Sequence, residues 1–365
     1  MNNNKYILKV LTVCQYGCTI MTTRDKKTGV NTMLSMKDIA KLSGVSLKTV
    51  SRVLNNSDKV KEETRQKVLD VVHKEGYRPN IIAKSLKEQK TRTIIIFIDR
   101  HHGEYWGIWH TMIITAFMRI AKEMDYKVLI SPSSASDHMT DQTDGFSFLT
   151  SGLADGAILM DNILEDQRID FLIKNNIPHV VLGNCSNYTK THWVDLNNYN
   201  AGYMGGEYLI NKNYRSLVFL LGDSSFKVSQ ERARGFMEAM KEADISDYRI
   251  EYGISSTKKA YERVAQDIEN NAQPSAYFVS GDERALGVYR AVQEKGLRIP
   301  EDVAVLGIDN IQHGQYLYPS LSSINQPIDI FASQVITMLI KIIEGVEDVE
   351  GSVLIPYNLV EREST

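Results

Sequence analysis

Between Met36 and Asn56 the chain reads Met-Lys-Asp-Ile-Ala-Lys-Leu-Ser-Gly-Val-Ser-Leu-Lys-Thr-Val-Ser-Arg-Val-Leu-Asn-Asn. Its polar residues are spaced to read the edges of bases. Ile39, Ala40, Val45, Val50, Val53 and Leu54 recur at helical spacing, broken at Ser43-Gly44, where one helix must stop and a second start at a steep angle. The second helix, with Ser46 as N-cap, carries Leu47, Lys48, Ser51, Arg52 and Asn55 on its outer face. These side chains donate and accept hydrogen bonds or meet a thymine methyl, as a major groove demands, and Arg52 has the reach for a bidentate guanine contact. The spacing predicts a helix-turn-helix.

A two-helix hairpin with a solvated polar face has the same pattern, and charge separates the two readings. Residues 36–92 hold fourteen Lys/Arg against seven Asp/Glu, a net +7, whereas residues 93–365 carry a net −14 and residues 1–35 a net +4. The overall −3 conceals a basic head on an acidic body, as expected when one small domain meets phosphates and the rest does not.

At 365 residues and 43% apolar content, two or three domains are expected. Cys14, Cys18 and Cys185 form no C-x-x-C pair, so neither a disulfide framework nor a zinc site is supported, and no cofactor is implied. No apolar run approaches the ~20 residues of a membrane span. Residues 1–35 lack periodicity and read as a disordered leader or an over-called start, the natural start then being Met33 or Met36. A third helix with the apolar stripe Val68, Leu69, Val71 and Val72 closes the head.

Beyond Thr93, apolar strands at 94–98, 127–130, 157–160, 179–182, 217–221, 276–279 and 303–308 alternate with amphipathic helices, the pattern of doubly wound parallel sheets. Ligands of such sheets sit beyond the carboxyl ends of the strands. Topology therefore selects Asp99, Asp155-Gly156, Asp223-Ser224, Gly281-Asp282 and Asp309-Asn310 as site candidates. Tyr105, Trp106, Trp109, Trp193 and Phe278 fall near them, and aromatic faces beside carboxylates suit a saccharide, although Trp109 and Tyr203 on helices read more readily as core. His101-His102 reads as a polar loop, since adjacent side chains diverge and no third metal ligand is evident.

The series Lys37-Asp38-Ile39-Ala40, Gly44-Val45-Ser46, Thr49 to Asn55, Glu63-Thr64-Arg65, Gly76 to Asn80 and Ala83-Lys84-Ser85-Leu86 resembles the LacI/GalR family of transcriptional regulators, with matching motifs to the carboxyl end. The resemblance implies a head over 36–79, a hinge helix and linker over 80–92, and an effector-binding and dimerisation body over 93–365. That body would be two periplasmic-binding-protein-like α/β subdomains, about 93–194 with 324–352 and about 195–323 with 353–365, joined by strands crossing near 194, 323 and 353. It implies a cytoplasmic, nucleoid-associated homodimer that binds a double-stranded pseudopalindromic operator, with Leu86 wedged between minor-groove base pairs and Lys87 in the groove.

For the effector, the resemblance points to Tyr105 and Trp106 as paired aromatics, Arg232 as a clamp, Phe278 as an aromatic wall, Asp309 as a hydrogen-bond acceptor and, more weakly, Gln326. Asp282 is expected to cap its helix. Departures matter: Gly103-Glu104 replaces the usual Asn-Pro, and Asn197-Asn198, with Asp195 upstream, replaces an Asp-Asn pair, so the sugar's identity does not transfer. Two rivals remain. One is a catabolite-control-type regulator whose corepressor, a phosphorylated carrier protein, would need a complementary patch on the outer face of the first subdomain, for which Arg119, Lys122 and Lys174 are too few. The other, more remote, is a hydrolase using Ser224, for which there is no Gly-x-Ser-x-Gly and no paired Asp-x-x-His near the carboxyl end.

Overall fold

Helical periodicity in the head and strand-helix alternation beyond it produce separate units. A computed structural model describes residues 34–78, 90–99, 106–135, 137 and 144–365, and the chain divides into compact units at Lys84/Ser85. Leu86, Lys87, Tyr105, His101-His102, Gly103-Glu104, most of the hinge segment and nearly all of the leader lie outside the described residues.

In the head, α1 (Met36–Ser43), α2 (Leu47–Leu54) and α3 (Glu62–Lys74) enclose Ile39, Val50, Val53, Val68 and Tyr77. Gly44 ends α1 at φ 64°, a left-handed conformation that glycine adopts at little cost, and Val45 then docks its N–H on the Ala40 carbonyl. Ser46 caps α2 as expected, accepting from the Thr49 amide at 3.1 Å. Lys61 supplies no side-chain cap to α3. The expected boundary at Met36 falls one residue late: the Ser35 hydroxyl accepts from Asp38 N, and the Asp38 carboxylate accepts from Ser35 N at 2.8 Å, a capping box that makes Ser35 part of the head.

The body contains two six-stranded sheets. The first, in the order β11-β5-β4-β3-β1-β2, uses β1 (Thr93–Ile98), β2 (Lys127–Pro132), β3 (Gly156–Leu159), β4 (His179–Leu182), β5 (His192–Asp195) and β11 (Ser352–Leu354). Against it pack α4 (Ile108–Glu123), α5 (Gly145–Thr150), α6 (Gln167–Lys174) and α11 (Ile328–Ile343). The second, β12-β10-β9-β8-β6-β7, uses β6 (Leu217–Leu220), β7 (Tyr248–Glu251), β8 (Ala276–Val279), β9 (Ala304–Asp309), β10 (Ser322–Asn325) and β12 (Asn358–Val360). It carries α7 (Asn198–Asn211), α8 (Lys227–Glu242), α9 (Thr257–Glu269) and α10 (Asp282–Glu294).

Within the two sheets, among the described residues, every strand pairing is parallel but one: β12 runs antiparallel to β10. The reason is topological. β10 leaves its sheet at its carboxyl end to cross into the first subdomain, and β12 enters by a crossing at that same end. The chain changes subdomain after Asp195, after Asn325 and between Leu354 and Asn358. Among the described residues no helix is long and apolar enough to cross a membrane.

Candidate functional site

On α2, Leu47, Lys48 and Asn55 are exposed, while Ser51 and Arg52 are half-buried. Leu47, 43% exposed beside the N-cap, is an apolar side chain with no core to join in its own unit. Val50 and Val53, on the opposite face, are buried. The helix thus turns its predicted reading residues outward.

In the body, the carboxyl ends of both sheets meet around a cavity of about 860 Å³. Asp99 after β1, Asp161 after β3, Asn184 after β4, Asp223 after β6, Ser280 after β8 and Asp309 at the end of β9 all line it, as the rule for open α/β sheets requires.

Arg232, on α8, is 7% exposed. Its Nε donates to Asn198 Oδ1 and its Nη1 to Ser280 Oγ, both at 2.8 Å. It forms no ion pair with Asp309 among the described residues, and these neutral acceptors leave donors of the guanidinium over. Burial pulls its pKa below the usual arginine range, Asp309 opposing the shift. Asp309 sits at φ 119°, a strained backbone for a non-glycine residue, and Oδ1 accepts from Gln326 Nε2 at 2.5 Å. Burial raises its carboxyl above the ordinary range against the pull of Arg232 and Arg284. Asp99, Arg232, Asp309 and Gln326 therefore come together.

Other expected residues do not. Phe278 is fully buried: its ring stacks on Phe219 at 4.1 Å and packs against α7 at Gly205, so it builds the core instead of a ligand wall. Asn197 turns away to cap α7, accepting from Asn200 N at 3.1 Å in a left-handed backbone conformation. Its neighbours Asp195 and Asn198 line the cavity instead, joined by an Asn198 Nδ2 to Asp195 Oδ1 bond of 2.6 Å. Trp106 donates its indole N–H to the Asp99 carbonyl at 3.1 Å and lines a separate groove of about 720 Å³ between α4 and the start of α11, which Asp309 and Gln326 also border.

Trp193 packs on a core beneath the first sheet. Asp155 lies at the amino end of β3, where its carboxylate accepts from Thr91 N, Thr91 Oγ1 and Arg92 N. Asp282 does not cap α10, whose N-cap is Gly281. It is buried and accepts from Ile311 N and Ser323 Oγ, bracing the Asp309 loop from behind. Ser224 is exposed and absent from the cavity lining, and Arg119 is paired with Asp329 at 2.6 Å.

Trp109 and His110 are among the cavity residues that were not singled out as ligand contacts. Trp109, read as core, lines the cavity while packing on the first subdomain's core. His110 lies beside it, 3.1 Å from Asp161. Both follow from α4 starting at the rim of β1, a position sequence spacing does not reveal.

A helix-turn-helix and a two-subdomain body with a strand-end cavity define a DNA-binding regulator with a ligand-binding unit. Residues 35–80 match the family described as bacterial regulatory proteins, lacI family, and residues 207–365 match a periplasmic binding protein-like domain. The chain is 30% identical over 338 residues to the HTH-type transcriptional repressor PurR of Salmonella paratyphi A (strain ATCC 9150 / SARB42), covering 91% of this chain and 97% of that protein. The lac repressor dimer bound to operator and the anti-inducer ONPF superposes with a TM-score of 0.79 at 24% identity, covering 91% of this chain and 99% of that one. A periplasmic binding protein/LacI transcriptional regulator from Alkaliphilus metalliredigens QYMF, complexed with D-xylulofuranose, gives 0.63 at 28% identity over 75% of this chain and 99% of that one. The chain belongs to the lacI family of bacterial regulatory proteins. It is a DNA-binding transcriptional regulator and not an enzyme.

Proposed function

We propose that this protein is a cytoplasmic repressor of carbohydrate-utilisation genes, binding a pseudopalindromic operator as a homodimer and released by a small uncharged saccharide in the body's cavity. One observation carries the ligand class. Seven carboxylate residues line the cavity against four Lys/Arg, and Arg232 is held by neutral oxygens with donors to spare. Burying an anion among those carboxylates is costly, which disfavours phosphorylated or carboxylated ligands, whereas a polyol satisfies acceptors and donors alike. The sugar complex of the Alkaliphilus relative is consistent with this.

The test has two parts. Operators selected from random duplexes are titrated with mono-, di- and trisaccharides while tryptophan emission is followed, Trp109 being the reporter in the cavity wall. An active sugar is expected to weaken operator binding about 100-fold, a coupling of about 2.7 kcal/mol, and Arg232→Ala to abolish that response while sparing operator affinity. If no saccharide acts, the phosphorylated carrier protein becomes the reading to pursue.

Within the head, specificity and affinity should separate. Exchanging Leu47 and Lys48 is expected to re-rank operators by about 1–3 kcal/mol per misread base, whereas Leu86→Ala weakens all of them and lessens the bend. Equal losses across operator variants for both changes contradict this division. Binding should fall steeply with salt, by about 0.9 in log–log slope per neutralised phosphate.

A further inference from the structure

Two sets of side-chain and backbone contacts run from one subdomain to the other at the rim of the cavity. On one flank, α4 starts after Gly107, whose position offers no side-chain cap. The Ile108 amide instead donates at 2.8 Å to Oε2 of Glu283, from the first turn of α10 in the other subdomain. The first amides of a helix carry partial positive charge and need an acceptor, and a carboxylate is the strongest available. Gly107 is what admits it: a Cβ there would lie 2.8 Å from Glu283 Oε2. Glu283 is steadied at its own backbone, its carbonyl accepting from Thr257 Oγ1 at 2.9 Å.

On the other flank, Ile163 and Phe226 pair in an isolated antiparallel bridge. Lys227 N donates to the Asn162 carbonyl at 3.3 Å, and the buried Lys227 ammonium donates to Asn187 Oδ1 at 3.2 Å. Both Glu283 and Lys227 line the cavity.

The geometry points to a pair of latches: Glu283 and Lys227 hold the two subdomains closed over the cavity, so they set how readily a ligand enters and which subdomain orientation is the resting one. A charge in the cavity wall that also spans the cleft is released when the cleft opens, so substitution there shifts the equilibrium between orientations. The regulatory meaning rests on the effector reading above. The measurement does not, since it needs no effector, and the two fail separately.

The test is amide hydrogen exchange and small-angle X-ray scattering on the full chain. Glu283→Ala is expected to speed exchange at Ile108 about tenfold, the size of a lost helix cap, and the double variant Glu283→Ala/Lys227→Met to increase the radius of gyration. Glu283→Gln, which keeps an acceptor, stays nearer the parent. Should Glu283→Ala fold poorly, Gly107→Ser gives the reading in another way: its hydroxyl caps α4 locally while its Cβ displaces the Glu283 carboxylate, so the radius rises with the helix intact. Unchanged exchange at Ile108 in Glu283→Ala, or an unchanged radius in both the double variant and Gly107→Ser, overturns the latch.

Discussion

Arg168→Ala is expected to destabilise the body by about 3–5 kcal/mol, because it strands a buried carboxylate. The guanidinium has no exposed surface, and its partner Asp166 has none either. Nε and Nη2 reach the two Asp166 oxygens at 2.9 and 2.7 Å, Nη2 also donates to the Asp161 carbonyl at 2.9 Å, and Nη1 donates to Ser133 Oγ at 3.3 Å. Burial opposes the charge, yet hydrogen bonding and charge from Asp166 outweigh it and the arginine holds its proton more tightly than usual. One side chain thus ties the turns after β2 and β3 to α6, under the cavity wall formed by Asp161 and Asn162. Urea unfolding of the single variant should show the loss. The pair Arg168→Met/Asp166→Leu should recover much of it, since replacing both partners of a buried ion pair costs less than removing one. A double variant no more stable than the single would contradict this account.

Gly235→Ala should be nearly as damaging, by about 1–3 kcal/mol or more, through overpacking. A Cβ at Gly235 would lie 1.8 Å from the Tyr199 carbonyl oxygen, and one at Gly202 would lie 2.0 Å from the Arg232 carbonyl oxygen. In both cases the obstacle is backbone that cannot swing aside. α7 and α8 therefore approach as closely as glycine allows, and the side chain at position 232 is aimed from that contact. Thermal unfolding should fall for Gly235→Ala. Gly202→Ala should in addition weaken any sugar response, because it moves the backbone that carries Arg232. A parent-like melting point for Gly235→Ala would show that the helices separate at no cost.

The proposed operator reading and the proposed latch depend on different parts of the chain. Leu47 and Lys48 belong to a unit with its own core, built on Ile39, Val50 and Val68. The latch lies wholly in the other unit, where Glu283 and Ile108 share no core cluster. Each unit has its own core, so changes in one are expected to leave the core packing of the other unaltered.

Much of the architecture was legible in the residues themselves. The helix-turn-helix followed from apolar spacing around Ser43-Gly44, and the strands of the body from short apolar runs, because periodicity records which face of a local element is buried. The strand-end rule placed Asp99 and Asp309 at the cavity from topology alone, and resemblance added Arg232. Side-chain direction was a different matter. Phe278 and Trp106 have the composition of ligand walls, yet one stacks into the core on Phe219 and the other bonds to the Asp99 carbonyl and faces a separate groove. Asn197 and Asn198 are neighbours in sequence, but only the second points into the cavity, since the first is consumed in capping α7. The Arg168 contacts to Ser133 and Asp161, the glycine contact between α7 and α8, and the Glu283 cap on α4 join residues on different elements, up to 175 positions apart. Sequence determines what each segment is; which of its groups remain for a ligand depends on which have already found partners elsewhere in the fold, and only the tertiary structure decides that.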